Sequence, residues 1–185
     1  MLESTTGRHK TLGTTPLNGA ARMRALRTSA RFVLRCRPAA VEQVETAFAL
    51  ALPQAPCRAT TAGDRAALWL GPDEWLLLAP EADASERRGA ALAGVPHSLV
   101  DISHGLTGLE IEGPRAGAVL NHGCPLDLSS AAFPVSMCTR TILAKAQIVL
   151  WRTAEDAFRV EMARSFGAYV QGLLKEAQRE HGAGF

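Results

Sequence analysis

Apolar and polar positions along this chain alternate in short runs, and the period changes from run to run. In "ARFVLRCRP", Phe32, Leu34 and Cys36 alternate with Val33, Arg35 and Arg37. That period of two is the mark of a half-buried strand. Pro38 suits the first position of a helix, where its missing N–H costs nothing and its fixed φ is already helical. "PAAVEQVETAFAL" then places Val41, Val44 and Phe48 on one face and Glu42 and Glu45 off it. "CRATTAG" and "RAALWLG" read as extended chain. "EWLLLAP" is too short for a helix and predicts a strand. Between the last two, Gly71-Pro72-Asp73-Glu74 has turn chemistry. The stretch "WLGPDEWLLLAP" is therefore predicted to be a hairpin. Leu68, Leu70, Leu76 and Leu78 are core candidates, and Trp69 and Trp75 flank the turn. "DASERRGAALAGV" predicts a helix with Asp83 as cap and Glu86 three residues on.

The second half repeats this order. "SLVDIS" is a probable strand, and "TGLEIEG" alternates Leu109 and Ile111 with Glu110 and Glu112. Gly113-Pro114 makes a strand-to-helix corner into "PRAGAVLNHG", a helix ending near Gly123. "TRTILAKAQIVLWR" supplies one or two strands. "AFRVEMA" supplies another, with Phe158, Val160 and Met162 inward. Ser165 can cap a last helix whose apolar positions are Phe166, Tyr169, Val170, Leu173 and Leu174. Lys175, Glu176, Arg179 and Glu180 form its solvated face. Aligning the halves sets "LWLGPDEWLLLAP" against "VLWRTAEDAFRVEM", an internal pseudo-repeat of about seventy residues, longer than a solenoid unit. The expected fold class is α+β: two tandem ferredoxin-like units, each a sheet with helices on one face. The expected division is a basic extended arm at 1–29, a first unit at 30–96 and a second at 97–185, packed as one compact domain.

Composition narrows the function without choosing it. Hydrophobic residues make up 47% and charged residues 21%, ordinary for a globular chain. The net charge of +2 is too small to make nucleic acid the main partner. Its placement is uneven: residues 1–35 hold seven basic side chains against Glu3, leaving the remainder of the chain acidic by four. Such an arm is either simply solvated or lies on an acidic partner. It is rich in Arg, Ser and Thr but lacks the amphipathic pattern of a transit peptide, and no signal peptide is evident. No apolar run approaches the length of a membrane span. Cys36, Cys57, Cys124 and Cys138 form no C-x-x-C pair, so a reducing compartment, the cytoplasm, and no disulfide framework are expected.

Cys124 could be a nucleophile with His104 or His122 as base and Asp101 or Asp127 as orienter. It follows a glycine at a helix end and precedes a proline, which favours a small buried turn residue. His9, His97, His104, His122 and His181 show no metal-ligand spacing. "EGPRAG" and "NHGCP" match neither a dinucleotide fingerprint nor a P-loop. Asp101 could accept backbone N–H groups from a neighbouring loop or meet Arg140, a structural role in either case. No residue is assigned as catalytic, cofactor-binding or metal-ligating. Trp69, Trp75, Asp101, His104 and Arg140 are the candidates for structural or subunit-interface roles.

"VDISHGLTGLEIEGPRAGAVLNHGCPLDL" and "AAFPVSMCTRTILAKAQIVLWRTAEDAFRVEMARSFGAYV", with "LGPDEWLLLAP" and "TPLNGAARMRALRTSARFVLR", resemble the gamma-subunit family of heterotetrameric sarcosine oxidases. The resemblance runs from about Thr15 to the last helix. More distantly, "DISH…LEIEGPRAGAVLN" is similar to the folate-binding aminomethyltransferases, the T-protein of glycine cleavage, which implies aminomethyltransferase-like units. That family places an aspartate after the short helix. The matching residues here are Asn121-His122-Gly123-Cys124-Pro125, and Asp127 comes later, so the catalytic role does not carry over. The resemblance implies an accessory subunit without its own active site or cofactor. The implied assembly oxidatively demethylates sarcosine to glycine, yields hydrogen peroxide and can pass the one-carbon unit to tetrahydrofolate. FAD, FMN, NAD, tetrahydrofolate and zinc are then expected on the alpha, beta and delta subunits. A stand-alone folate-binding one-carbon transfer protein, or the same subunit role in an oxidoreductase complex acting on another N-methyl amine, are the alternative expectations.

Overall fold

The computed structural model describes residues 21–26, 29–80 and 92–182. Two five-stranded sheets are formed, and every strand pairing is antiparallel. The first contains β2 (Ser29–Cys36), β3 (Ala59–Ala62), β4 (Arg65–Gly71), β5 (Glu74–Pro80) and β6 (His97–Asp101), in the order β3-β4-β5-β2-β6. The second contains β1 (Arg22–Ala25), β7 (Leu106–Glu112), β8 (Cys138–Leu143), β9 (Ala146–Ala154) and β10 (Ala157–Ala163), in the order β8-β9-β10-β7-β1. The α-helices among the described residues are α1 (Val41–Phe48), α2 (Ala116–Asn121) and α3 (Gly167–Gly182).

The predicted repeat is present as a shared strand order. Each unit runs strand, helix, then three antiparallel strands, with the β4–β5 hairpin matching β9–β10. The fifth strand of each sheet is exchanged between the units. β1 precedes β2 in the chain but pairs with β7, Met23 opposite Ile111. β6 precedes β7 but pairs with β2, Leu99 opposite Leu34. Part of the stretch read as an extended arm is therefore a strand, because Met23 is 1% exposed in the second core. Strand membership likewise crosses the expected division at 96/97. The rest of the arm and most of the helix expected at "DASERRGAALAGV" lie outside the described residues.

Alternation along each strand divides the side chains between two faces. In the first sheet Phe32, Leu34, Trp75 and Leu77 meet Val44 and Phe48 of α1. In the second, Leu109, Ile111, Phe158, Val160 and Met162 meet Val119 and Leu120 of α2 and Val170 and Leu174 of α3. The opposite faces meet each other: Leu68, Leu76 and Leu78 share a core with Cys138 and Trp151. The layers are helix, sheet, sheet, helix. This explains why "EWLLLAP" is apolar at nearly every position rather than at every second one, since both faces are covered. Val41 is only partly buried, packed at the edge of the α1 core.

Local chemistry accounts for the ends. Pro38 opens a single 3-10 turn, Pro38–Ala40, before α1. Gly113 has φ 125°, a conformation that glycine alone adopts at ease, and it turns β7 toward α2. Pro114 lies in that corner, and α2 starts two residues later. Ser165 sits inside a 3-10 turn, Arg164–Phe166, that leads into α3 and has no side-chain cap. Phe166 and Tyr169, expected in the core, are 38% and 40% exposed. Val170 and Leu174 are buried as read, Leu173 packs beside them, and Ala177 extends the stripe, so the contact face is shifted from the one read in the sequence.

Candidate functional site

The seam between the sheets carries the densest polar chemistry of the described residues. Arg31 on β2 and Glu161 on β10 are each 2% exposed. Arg31 Nε donates to Glu161 Oε2 at 2.6 Å. Arg159, two residues before Glu161, donates from Nε to the other carboxylate oxygen at 2.7 Å. Arg31 Nη1 donates to the Ser29 carbonyl at 2.9 Å, and Arg159 Nη2 reaches Ser29 Oγ at 3.4 Å. Both oxygens of Glu161 are occupied by guanidinium donors. The cluster holds two strands of different units together.

Asp101 joins this network at its edge. Its Oδ1 accepts the Ser103 N–H at 2.8 Å and the Ser103 hydroxyl at 2.5 Å. Ser103 Oγ in turn accepts the Arg31 N–H at 2.9 Å. Those hydrogen bonds from Ser103, aided by nearby His104, hold the Asp101 carboxyl below the usual carboxylate range. Ser103 lies in the turn after β6 rather than beside Asp101 on the strand, so the expected backbone N–H acceptance comes from the local turn. Arg140 does not meet Asp101: it pairs with Glu74 and reaches the Leu70 carbonyl at 3.4 Å.

The "GPDE" turn is held from two sides. Arg35 on β2 donates to Asp73 at 3.1 and 3.2 Å. Arg140 on β8 of the second unit pairs with Glu74. Trp75 is 1% exposed, and its indole N–H donates to the Pro53 carbonyl at 2.9 Å. That satisfies the polar end of a buried indole. Trp69 lies opposite Trp75 and is partly buried against the α1 core. Of the five candidates, Asp101 and His104 share one turn. Arg140, Trp69 and Trp75 gather at the hairpin.

The other sequence candidates bond mainly to backbone groups of their own turns. Cys124 is 4% exposed, and its N–H donates to Leu120 at 2.9 Å. Asp127 accepts the Ser129 N–H at 2.9 Å, which holds its carboxyl low. Asn121 Nδ2 donates to the carbonyls of Cys124 and Leu126 at 3.1 and 2.6 Å. His122 faces Glu180 at 3.4 Å. All four cysteines are free. Burial pushes the Cys138 thiol up to about 12, far from a reactive thiolate. Burial, with Asp73 and Glu45 nearby, also raises that of Cys36. Among the described residues no cluster of three His, Cys, Asp or Glu could hold a metal ion. No described helix is long and apolar enough to cross a membrane. An open cleft of about 490 Å³ lies at the outer end of the second sheet, between Ala21, Arg22, Glu112, Gly113, Pro114 and the β9–β10 turn.

Sequence reasoning missed Arg31, Glu161 and Arg152. In the sequence Arg31 stands out only as one of the basic side chains of residues 1–35. Arg152 is 5% exposed, donates to the carbonyls of Phe133 and Leu128 at 2.8 and 3.3 Å, and lies 5.0 Å from the Phe158 ring centre. It fastens the loop before β8 to the hairpin. One signal was present: Gly108 inside a strand, which marks a close approach. A Cβ there would stand 2.7 Å from Glu161 Oε1 and 3.0 Å from Arg31 Nη2.

Comparison with known proteins places this geometry. Sarcosine oxidase subunit gamma of an Arthrobacter species is 37% identical over 88% of this chain and 82% of its own length. The subunit of Corynebacterium strain U-96 is 33% identical over 89% and 82%. That of Corynebacterium strain P-1 is 40% identical over 62% of this chain, and the match spans 57% of that protein. A chain of the heterotetrameric sarcosine oxidase from Corynebacterium U-96 superposes with TM-score 0.85 at 31% identity, covering 91% of this chain and 90% of that one. The glycine cleavage aminomethyltransferase T of Bartonella henselae has TM-score 0.64 at 15% identity over 85% of this chain and 46% of its own, a likeness of fold alone. Residues 35–180 match the family described as sarcosine oxidase, gamma subunit family. The chain, with its two interlocked α+β units, belongs to that family.

Proposed function

We propose that this chain is a non-catalytic subunit of a heterotetrameric sarcosine oxidase and that its work is to brace the assembly. The observation that carries this reading is the superposition on a chain of such a heterotetramer over nine-tenths of both. The side-chain chemistry supports it. The buried carboxylate at the seam has both oxygens engaged by arginines. The carboxylates of Asp127, after α2, and Asp101, at the end of β6, cap turns. Their contacts are those of a scaffold. The chemistry would then reside on alpha, beta and delta partners, with FAD, FMN, NAD, tetrahydrofolate and zinc among them. The complex would convert sarcosine to glycine in the cytoplasm, producing hydrogen peroxide and either methylenetetrahydrofolate or formaldehyde.

The test is co-expression of the full chain with the three partner chains, followed by native mass, bound flavin and sarcosine turnover. The expected result is a 1:1:1:1 flavin-containing complex in which this chain contributes no cofactor. A chain that stays apart from the complex, or that binds tetrahydrofolate and turns over alone, defeats the proposal.

A further inference from the structure

We infer that the first turn of α3, with the turn after β6, is the docking surface for a neighbouring subunit of the oxidase. Phe166 and Tyr169 are 38% and 40% exposed and stack edge to face with ring centres 6.2 Å apart. Val135 and Ile142, also exposed, are single side chains, and scattered single apolar residues are ordinary on any surface. A paired Phe and Tyr is different, because aromatics concentrate at interface centres, where they bury much area with few rotors.

Two further groups surround the pair. Arg164 opens the 3-10 turn that carries Phe166, is exposed, and has no ion-pair partner among the described residues. Its N–H donates to the Gly105 carbonyl at 2.9 Å, which brings the exposed His104 turn alongside. That turn follows β6, an outer strand of its sheet with Val100 51% exposed. Asp101, the carboxylate of that turn, is engaged by Ser103. The surface thus offers an aromatic pair beside an uncompensated guanidinium. Its complement is a protein segment that lays an apolar side chain over the Phe166–Tyr169 pair and sets a carboxylate against Arg164. The occupant is a partner chain of the heterotetramer, an assignment that rests on the function proposed above.

The backbone here is fixed independently of the aromatic rings. Val170 and Leu174 anchor α3 in the core. Truncating exposed rings therefore leaves the fold intact. The experiment uses the co-expressed complex, diluted to nanomolar concentration, with the share of particles retaining this chain read by native mass spectrometry. Phe166→Ala with Tyr169→Ala is expected to weaken retention about 30-fold or more, the effect of losing a hot spot. Arg164→Glu is expected to weaken it as well, and more at low salt. Ile142→Ala, on another face, is the control and retains wild-type assembly. Wild-type retention in both the aromatic and the Arg164 variants overturns the docking surface while leaving the accessory role standing. Failure of the wild-type chain to join the complex overturns both.

Discussion

Two strand pairs hold equivalent places in the two units and use them in opposite ways. In the first sheet Arg31 on β2 lies opposite Leu78 on β5. In the second, Gly108 on β7 lies opposite Glu161 on β10. Both pairs face the seam. The repeat would put the same residues in both, yet the long cation sits in one unit and its carboxylate in the other. Gly108 leaves the room that the guanidinium occupies. The lesson is that pseudo-symmetry was kept where the helices pack and broken where the sheets meet. A symmetric seam would place like beside like, and a buried cation needs an anion instead.

That contrast can be broken most severely at Glu161. Glu161→Ala leaves Arg31 buried without its anion and should cost about 3–5 kcal/mol. Denaturant unfolding of the variant measures it. Arg31→Leu combined with Glu161→Leu gives the second unit the first unit's leucine, and should be milder than Glu161→Ala alone. Equal or additive losses would show that the ionic partnership is not the source of the effect.

A smaller loss is expected from Gly108→Ala. The added methyl presses on Glu161, Arg31 and Leu26 at 2.7 to 3.0 Å. Overpacking of this kind costs about 1–3 kcal/mol. Alanine at Gly172, where nothing lies within 4 Å, should instead be neutral or better by the same unfolding assay.

The exposed counterpart of the clasp also joins the units, through Arg140 and Glu74, but the arginine is half exposed. Arg140→Ala should change stability by less than about 1 kcal/mol, and added salt should erase the difference. A loss as large as that at Glu161 would mean that burial does not separate the two bridges.

The smallest effect lies at Asp101, whose folded carboxyl titrates below its unfolded value. Its contribution is complete above the unfolded carboxylate range, about 3.9, and drains away as pH falls through the lower folded value. Asp101→Asn should flatten that acid limb in unfolding curves collected between neutral and strongly acid pH. An unchanged limb would remove Asp101 from the seam network.

Much of the architecture was legible from periodicity. The alternation of Phe32, Leu34 and Cys36, the turn chemistry of Gly71 to Glu74, and the inward Phe158, Val160 and Met162 all depend on neighbours within one strand or hairpin. The structure keeps each of them. Trp75 was less legible. A tryptophan beside a turn reads as an edge residue, but the carbonyl that accepts its N–H belongs to Pro53, 22 positions earlier in the chain. Phe166 and Tyr169 were read inward because helical spacing defines a stripe without saying which edge of it the core reaches. Val170 and Leu174 of that stripe reach the core, and Ala177 continues it.

What the sequence determined by itself was most strands and turns, the helices α1 to α3, the repeat, and the family signature, because each is written in local spacing; β1 was not among them. The tertiary structure alone decided that β1 and β6 change places between the sheets and that Arg31 meets Glu161, 130 positions away. It also turned one half-buried strand face into an interior. The physical reason is common to all three. Which strand completes an open edge, and which charge compensates another, is settled by the shared burial of surfaces far apart in the chain. No periodicity within one segment records that choice.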